Sequence, residues 1–262
     1  SEDATLDVND DDGLPIAVEG SGYSITYQAQ DGTLEPNVRE FPEGREIAGL
    51  TVEGGTRDEN GNEATSGTVD FTLSRAVSGD LEVDNTSSSD FRLAADTDGD
   101  GTLNFEEELD ISGNVVIEGR GTTDGGSVSS LSVGGDVTAS GGRVENFNAD
   151  GALTVSGGTA SNADVAGDVS IEQGGSLEGN VTLSGEDSQA LSLGADVNQA
   201  PLEDLTLAQT TSGESAAQVN LSGGDLDVDG TLTLSGGVLD AESDETVILT
   251  DGTFERNVES GE

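Results

Sequence analysis

Glycines recurring at a fixed interval constrain this chain more than any other feature. Gly135-Asp-Val-Thr-Ala-Ser-Gly-Gly, Gly151-Ala-Leu-Thr-Val-Ser-Gly-Gly and Gly167-Asp-Val-Ser-Ile-Glu-Gln-Gly start 16 residues apart. Related units follow at Gly113-Asn-Val-Val-Ile, Gly179-Asn-Val-Thr-Leu-Ser-Gly185 and Gly230-Thr-Leu-Thr-Leu-Ser-Gly236. Each unit places apolar residues at alternate positions, the period of a strand with one buried face, before a Gly/Ser/Asn turn. A unit this short cannot bury its apolar face alone, so neighbouring units must stack. Small inward residues suit a narrow core, and glycine permits tight corners. The interval shortens to 12 residues after Gly167, and 186–219, which contains Pro201, interrupts the pattern. The repeat therefore predicts one short strand per unit over 113–262, arranged as a short β-solenoid or as a second sandwich. A disordered, glycosylated stalk is the competing reading of a Gly/Ser-rich half. Stalks do not keep alternations such as Leu226-Asp-Val228 and Leu232-Thr-Leu234. Thr246–Phe254 reads as a closing hairpin followed by an acidic tail.

Residues 1–112 have a different texture. Six of the eight aromatic residues lie there: Tyr23, Tyr27, Phe41, Phe71, Phe91 and Phe105. Strands are predicted at 22–29, 46–53, 67–76, 80–84 and 89–95, between Gly, Ser and Asn turns. In the third of these, Val69, Phe71 and Leu73 alternate with Asp70, Thr72 and Ser74. The acidic run 9–13 and the segment 57–63, with its Asn60-Gly61 pair, read as turns. Four pieces resemble Calx-β-type sandwich modules over residues 69–108: Phe71-Thr-Leu-Ser, Val77-Ser-Gly-Asp-Leu-Glu-Val83, Ser89-Asp-Phe91 and Asp100-Gly-Thr-Leu-Asn-Phe105. That resemblance implies antiparallel pairing. The expected fold is all-β, with an antiparallel β-sandwich-like domain over 1–112 and a Gly/Ser/Val-rich β-repeat domain over 113–262.

Between these halves lies the one stretch whose residue types and spacing demand a particular chemistry. Asp96, Asp98 and Asp100 fall at positions 1, 3 and 5 of a calcium loop, and Gly101 supplies the turn at position 6. Thr102 offers its carbonyl, Asn104 a ligand or bridging water, and Glu107 a bidentate carboxylate at position 12. A hard divalent ion takes six or more oxygens around one point, and this spacing curls them inward. The flanks, Asn85–Asp90 and Glu106–Asp110, are too poor in helix signal for a paired sensor, which needs a helix on each side. Calcium is expected as a structural staple fixing how the two halves meet.

Charge constrains the setting. The 8 basic residues are all Arg and face 54 Asp and Glu, for a formal net charge of −46. In dilute buffer such a charge opposes compaction. At 1 M salt the screening length falls to about 3 Å and self-repulsion is muted. An acidic surface without lysine resembles the proteins of extremely halophilic archaea, and the Gly/Ser/Val-rich repeats resemble their secreted surface proteins. The resemblance implies a halophilic habitat and a calcium- and salt-stabilised surface role. Nucleic acid is not an expected partner of so acidic a chain, and with no apolar run of 18 residues, membrane insertion is not expected. The chain begins at Ser1 rather than Met, as in a mature product whose signal peptide has been removed. Three sequons, at Asn85 with Ser87, Asn180 with Thr182 and Asn220 with Ser222, are glycosylation candidates that fit an extracellular, cell-surface location.

His, Cys and Lys are absent, which leaves carboxylates, Arg and Tyr for acid–base chemistry. Among 54 acids a carboxylate pair carries little information, and Arg120 and Arg143 look isolated. The expectation is no enzyme, with a carboxylate-based polysaccharide-active enzyme as the weakest alternative. A structural subunit of an extracellular assembly (filament, surface coat or adhesin) that self-associates is the expected function. The alternating piece Ala4–Val8 could pair with a neighbouring copy's sheet edge or with its own chain. The other class is a carbohydrate- or surface-binding module, or a virion spike, engaging surface glycans. Sugar platforms usually display aromatic rings, and 113–262 has only Phe147 and Phe254.

Overall fold

The computed structural model describes residues 4–5, 24–28, 49–54, 68–73, 77–85, 90–95, 109–119, 127–186, 188–194, 201–209, 218–241 and 245–256. These are all-β, in 23 strands. The larger sheet takes β1 (Ala4–Thr5), β2 (Ser24–Gln28), β3 (Gly49–Gly54), β5 (Leu81–Asn85), β8 (Val115–Gly119) and β10 (Val137–Ala139), in that order. It continues through β12 (Leu153–Val155), β14 (Val169–Ile171), β16 (Gln189–Leu193), β18 (Gln218–Ser222) and β21 (Val238–Ala241). The second sheet runs from β4 (Thr68–Leu73) through β6 (Asp90–Ala95), β9 (Ser127–Val133), β11 (Arg143–Ala149) and β13 (Thr159–Val165). It ends with β15 (Ser176–Leu183), β17 (Asp204–Ala208), β20 (Thr231–Gly236) and β23 (Thr253–Arg256), while β7 (Leu109–Ile111) pairs with β9 from the side. A third, two-stranded sheet joins β19 (Leu226–Val228) to β22 (Val247–Leu249). Every strand pairing among the described residues is parallel.

From β8 to β18 the chain alternates between the two large sheets, laying each strand on the equivalent strand of the preceding turn. Val137, Leu153 and Val169 are successive partners, as are Ala139, Val155 and Ile171. The long strands of the second sheet bend once. Ser130 (φ 59°), Asn146 (φ 52°) and Asn162 (φ 53°) sit in the left-handed region, and Gly179 (φ 69°) takes the same corner in β15. Before the bend Val144 and Ala160 face inward; after it Phe147 and Ala149, then Ala163 and Val165, do so, and all are buried. Each bent strand thus contributes to two walls. Phe147, the largest fully buried side chain among the described residues, is partnered by Leu131 and Ala163, so a small residue on one turn lies beside the ring of its neighbour.

The pairs Gly113-Asn114, Gly135-Asp136 and Gly167-Asp168 are the corners leading into β8, β10 and β14 of the larger sheet. The amide of Gly151 donates to the Gly135 carbonyl at 3.0 Å, and Gly167 donates to Gly151 at 3.0 Å. A Cβ on Gly151 would stand 2.6 Å from the Gly135 carbonyl oxygen, so only glycine fits. The residue that follows caps the next turn. Asp80 accepts the Asn114 amide (2.7 Å), Asn114 that of Asp136 (2.9 Å), Asp136 that of Ala152 (2.8 Å) and Asp168 that of Ala190 (2.8 Å). In the stack these positions read Asp80, Asn114, Asp136, Ala152, Asp168, Ala190, which spaces carboxylates two turns apart, about 9.5 Å at the usual strand separation. Alternation of acid with Asn or Ala keeps like charges from stacking directly.

Three expectations are corrected. Among the described residues of 1–112 the strands pair in parallel, not antiparallel: β2 with β3, β3 with β5 and β4 with β6, and β5 goes on to pair in parallel with β8. Alternation of apolar residues specifies a buried face but is the same for either strand direction. Residues 246–254 are not a hairpin, since β22 pairs with β19 and β23 with β20. Nor does each 16-residue unit hold one strand; it holds a short straight one and a longer bent one.

Candidate functional site

Asp96, Asp98, Asp100, Thr102, Asn104 and Glu107 lie outside the described residues, and so do 9–13 and 57–63. The strands on either side of the candidate calcium loop are placed. Arg92 and Leu93 of β6 partner Ser127 and Val128, and Leu109 of β7 partners Leu131. β9 thus passes from one wall to the next through Ser129 and Ser130, whereas the preceding turn spends 96–108 on the same step. Both ends of the segment are pinned to a corner, β7 additionally through a bridge from Val77 to Ile111. Among the described residues, no group of three or more Asp, Glu, His or Cys could hold a metal ion.

The sequons occupy three different settings. Asn85 ends β5, and its side chain lies outside the described residues. Asn180 is exposed just after the Gly179 corner. Asn220 is exposed in the middle of β18, between Ala190 and Asp240 on the flanking strands. The corner that holds Asn180 carries a polar ladder. Asn162 Nδ2 donates to Asn146 Oδ1 at 3.0 Å, Asn162 Oδ1 accepts the Asn180 amide at 3.1 Å, and Asp204 Oδ1 accepts the Thr231 amide at 2.6 Å.

Three features were not anticipated from the sequence. Arg143 is not isolated: it pairs with Glu145 on its own strand and with Glu178 at 3.4 Å, bridging over β13. Gln189 and Gln209 are buried. Gln189 Nε2 donates to the carbonyls of Val165 (3.0 Å) and Gly167 (2.6 Å), and its Oε1 accepts from Gln209 Nε2 (2.9 Å). They satisfy backbone groups where the 16-residue rhythm lapses, a requirement of any buried carbonyl. On the outer face of the larger sheet, Thr138, Thr154, Ser170, Ser192 and Ser222 form one hydroxyl row in register.

Among the described residues, the C-terminal side of the stack is uncovered. Leu205, Leu232 and Phe254 are successive partners on β17, β20 and β23, yet their exposures are 0%, 4% and 53%. Val238 and Ile248 on β21 and β22 are also exposed. These three strands end their sheets, so one edge of each has no partner among the described residues. At the opposite side β1 pairs in parallel with β2 of its own chain, Ala4 to Ile25 and Thr5 to Thr26, and ends the larger sheet there. No helix among the described residues is long and apolar enough to cross a membrane.

No family model, no curated protein and no solved structure matches the chain.

Proposed function

We propose that the chain is a β-solenoid and a structural subunit of an extracellular assembly (a filament, surface coat or adhesin) of a halophilic archaeon, and that copies join end to end. The observation that carries this reading is the parallel stack open at its C-terminal side, where the buried row of Leu205 and Leu232 emerges as Phe254. A stack of parallel turns offers at each end strands of the same direction, so a second copy's first strand can extend the sheet that β21 ends, by strand addition. The intramolecular pairing of β1 supports a copy that docks as a folded unit rather than one that donates a loose strand. No catalytic step is part of this reading, and neither nucleic acid nor a membrane is a partner.

Calcium belongs to the proposal as a staple. The all-oxygen donor set Asp96, Asp98, Asp100, Thr102, Asn104 and Glu107 suits a hard cation, and strands that pin both ends of the loop lower the cost of closing it. Extracellular sites of this type bind at roughly 0.1–1 mM. At a hundredfold excess over Kd one site stabilises by about 2.7 kcal/mol. Chelation is therefore expected to lower the melting temperature, and dilution below about 0.5 M salt, where screening weakens, to unfold or disassemble the protein. Sedimentation velocity in molar salt with calcium, over a wide range of protein concentration, tests the assembly. Growing species support it; a monomer throughout rejects it.

A further inference from the structure

We infer that Asn180, and not Asn220, is the N-glycosylated residue of the two sequons on described strands. The inference rests on the extracellular reading above. Both asparagines are exposed, so exposure alone does not separate them. Their surroundings do. Asn180 follows the left-handed Gly179 at the bend of β15, where the register to β13 skips from Glu178 to Val181 and Asn180 is paired on one side only, with Asp204 of β17. Its corner carries the polar ladder, which Asn180 joins through its backbone amide alone. The Asn162 side chain is tied at both ends, to Asn146 and to the Asn180 backbone, and Asp204 is tied to Thr231. The Asn180 side chain has no partner among the described residues. The hydroxyl of its sequon, on Thr182, is likewise unengaged and half-buried on the outer face.

Asn220 is placed differently. It lies between buried Val219 and Leu221 in the middle of a flat strand, paired on both sides. The hydroxyl of its sequon is committed, with Ser222 Oγ donating to Ser192 Oγ at 3.2 Å. A transferase reads an asparagine together with the hydroxyl two residues on, and it needs backbone that can leave the surface, as at loops and corners. The chemistry requires a free amide. Nδ2 of Asn180 forms a bond to the anomeric carbon of a polyprenyl-phosphate-linked oligosaccharide, and the bond from that carbon to the phosphate oxygen breaks. The polyprenyl phosphate leaves with the electron pair, and the displaced amide proton passes to a base of the transferase. A glycan there stands on a corner and leaves the hydroxyl row of the larger sheet uncovered.

The test expresses the full chain in a halophilic archaeal host with its own glycosylation machinery, locates it by surface proteolysis, and maps glycans by mass spectrometry. Cleavage after glutamate separates the two sites, since Glu178 and Glu186 flank Asn180. The expected result is a glycan mass on the Asn180 peptide and none on the Asn220 peptide. Asn180→Gln and Thr182→Val should each abolish it, and Asn220→Gln should leave it unchanged. Surface-located protein with Asn180 bare, or with the glycan on Asn220, overturns this inference and leaves the extracellular reading standing. Protein confined to the cell interior overturns both.

Discussion

The turns over 137–183 and the last turns over 226–256 are built by the same rules and end in different states. In the middle, every wall has a neighbour above and below, and inward residues such as Val137, Leu153 and Val155 are fully buried. In the final turn the corner glycine is retained, with Thr253 donating to the Gly230 carbonyl at 2.9 Å, yet Phe254 is more than half exposed. Leu234, Leu239, Val247 and Leu249 only partly bury against the core. The difference is one of neighbours. Backbone pairing and corner chemistry are local and survive at the end, whereas burial needs the next turn. Among the described residues the last turn has no such neighbour, and its apolar side chains are exposed accordingly.

Equivalent substitutions in the two regions should therefore differ sharply. The largest contrast is expected between Leu205→Ala and Phe254→Ala, partners of Leu232 on opposite sides. The first empties a buried site and should cost about 2–5 kcal/mol; the second should cost less than about 1 kcal/mol in the isolated chain. Denaturant titration in molar salt measures both, and equal losses would mean that the end is already covered. Next come Gly151→Ala and Gly252→Ala. Their added Cβ atoms meet backbone carbonyl oxygens at 2.6 and 2.4 Å. The buried-stack variant should lose about 1–3 kcal/mol as overpacking does, while the terminal one opens locally at under about 1 kcal/mol. Smallest is the corner cap. Asp136→Ala removes the acceptor of the Ala152 amide and should cost about 1 kcal/mol, whereas Asp136→Asn keeps an acceptor and should be nearly neutral. A Tm series resolves that pair. Amide hydrogen exchange sharpens the whole contrast: Val155 should be protected near the global limit and Leu249 should exchange through local opening.

Much of the strand placement was legible, and the direction and grouping of strands were not. Residues 68–73 fall inside the stretch read from the alternation of Val69, Phe71 and Leu73, and 24–28 inside 22–29. Nothing in that alternation distinguishes a parallel from an antiparallel neighbour. The bent strands escaped notice for a physical reason. A left-handed residue at Asn146 shifts the phase, so that Val144 and Phe147, three apart, both face inward and no period-two window spans the strand. The glycine repeat was legible, but two of its units sit on the other sheet: Gly179 turns into the second half of β15, and Gly230 leads into β20. Buried Gln189 and Gln209 look like surface residues until the lapse in the repeat is folded. The spacing from Asp96 to Glu107 reads as a calcium loop and lies outside the described residues, while the pairing of its flanking strands β6 and β7 with β9 was not legible.

Electron cryo-microscopy of the full chain in molar salt with calcium tests the end-to-end stack most directly. The expected particles are chains of copies joined along one axis, with strands crossing that axis at the spacing of about 4.8 Å that parallel turns impose. Dispersed single copies at every concentration, or copies joined side by side with free ends, would contradict it.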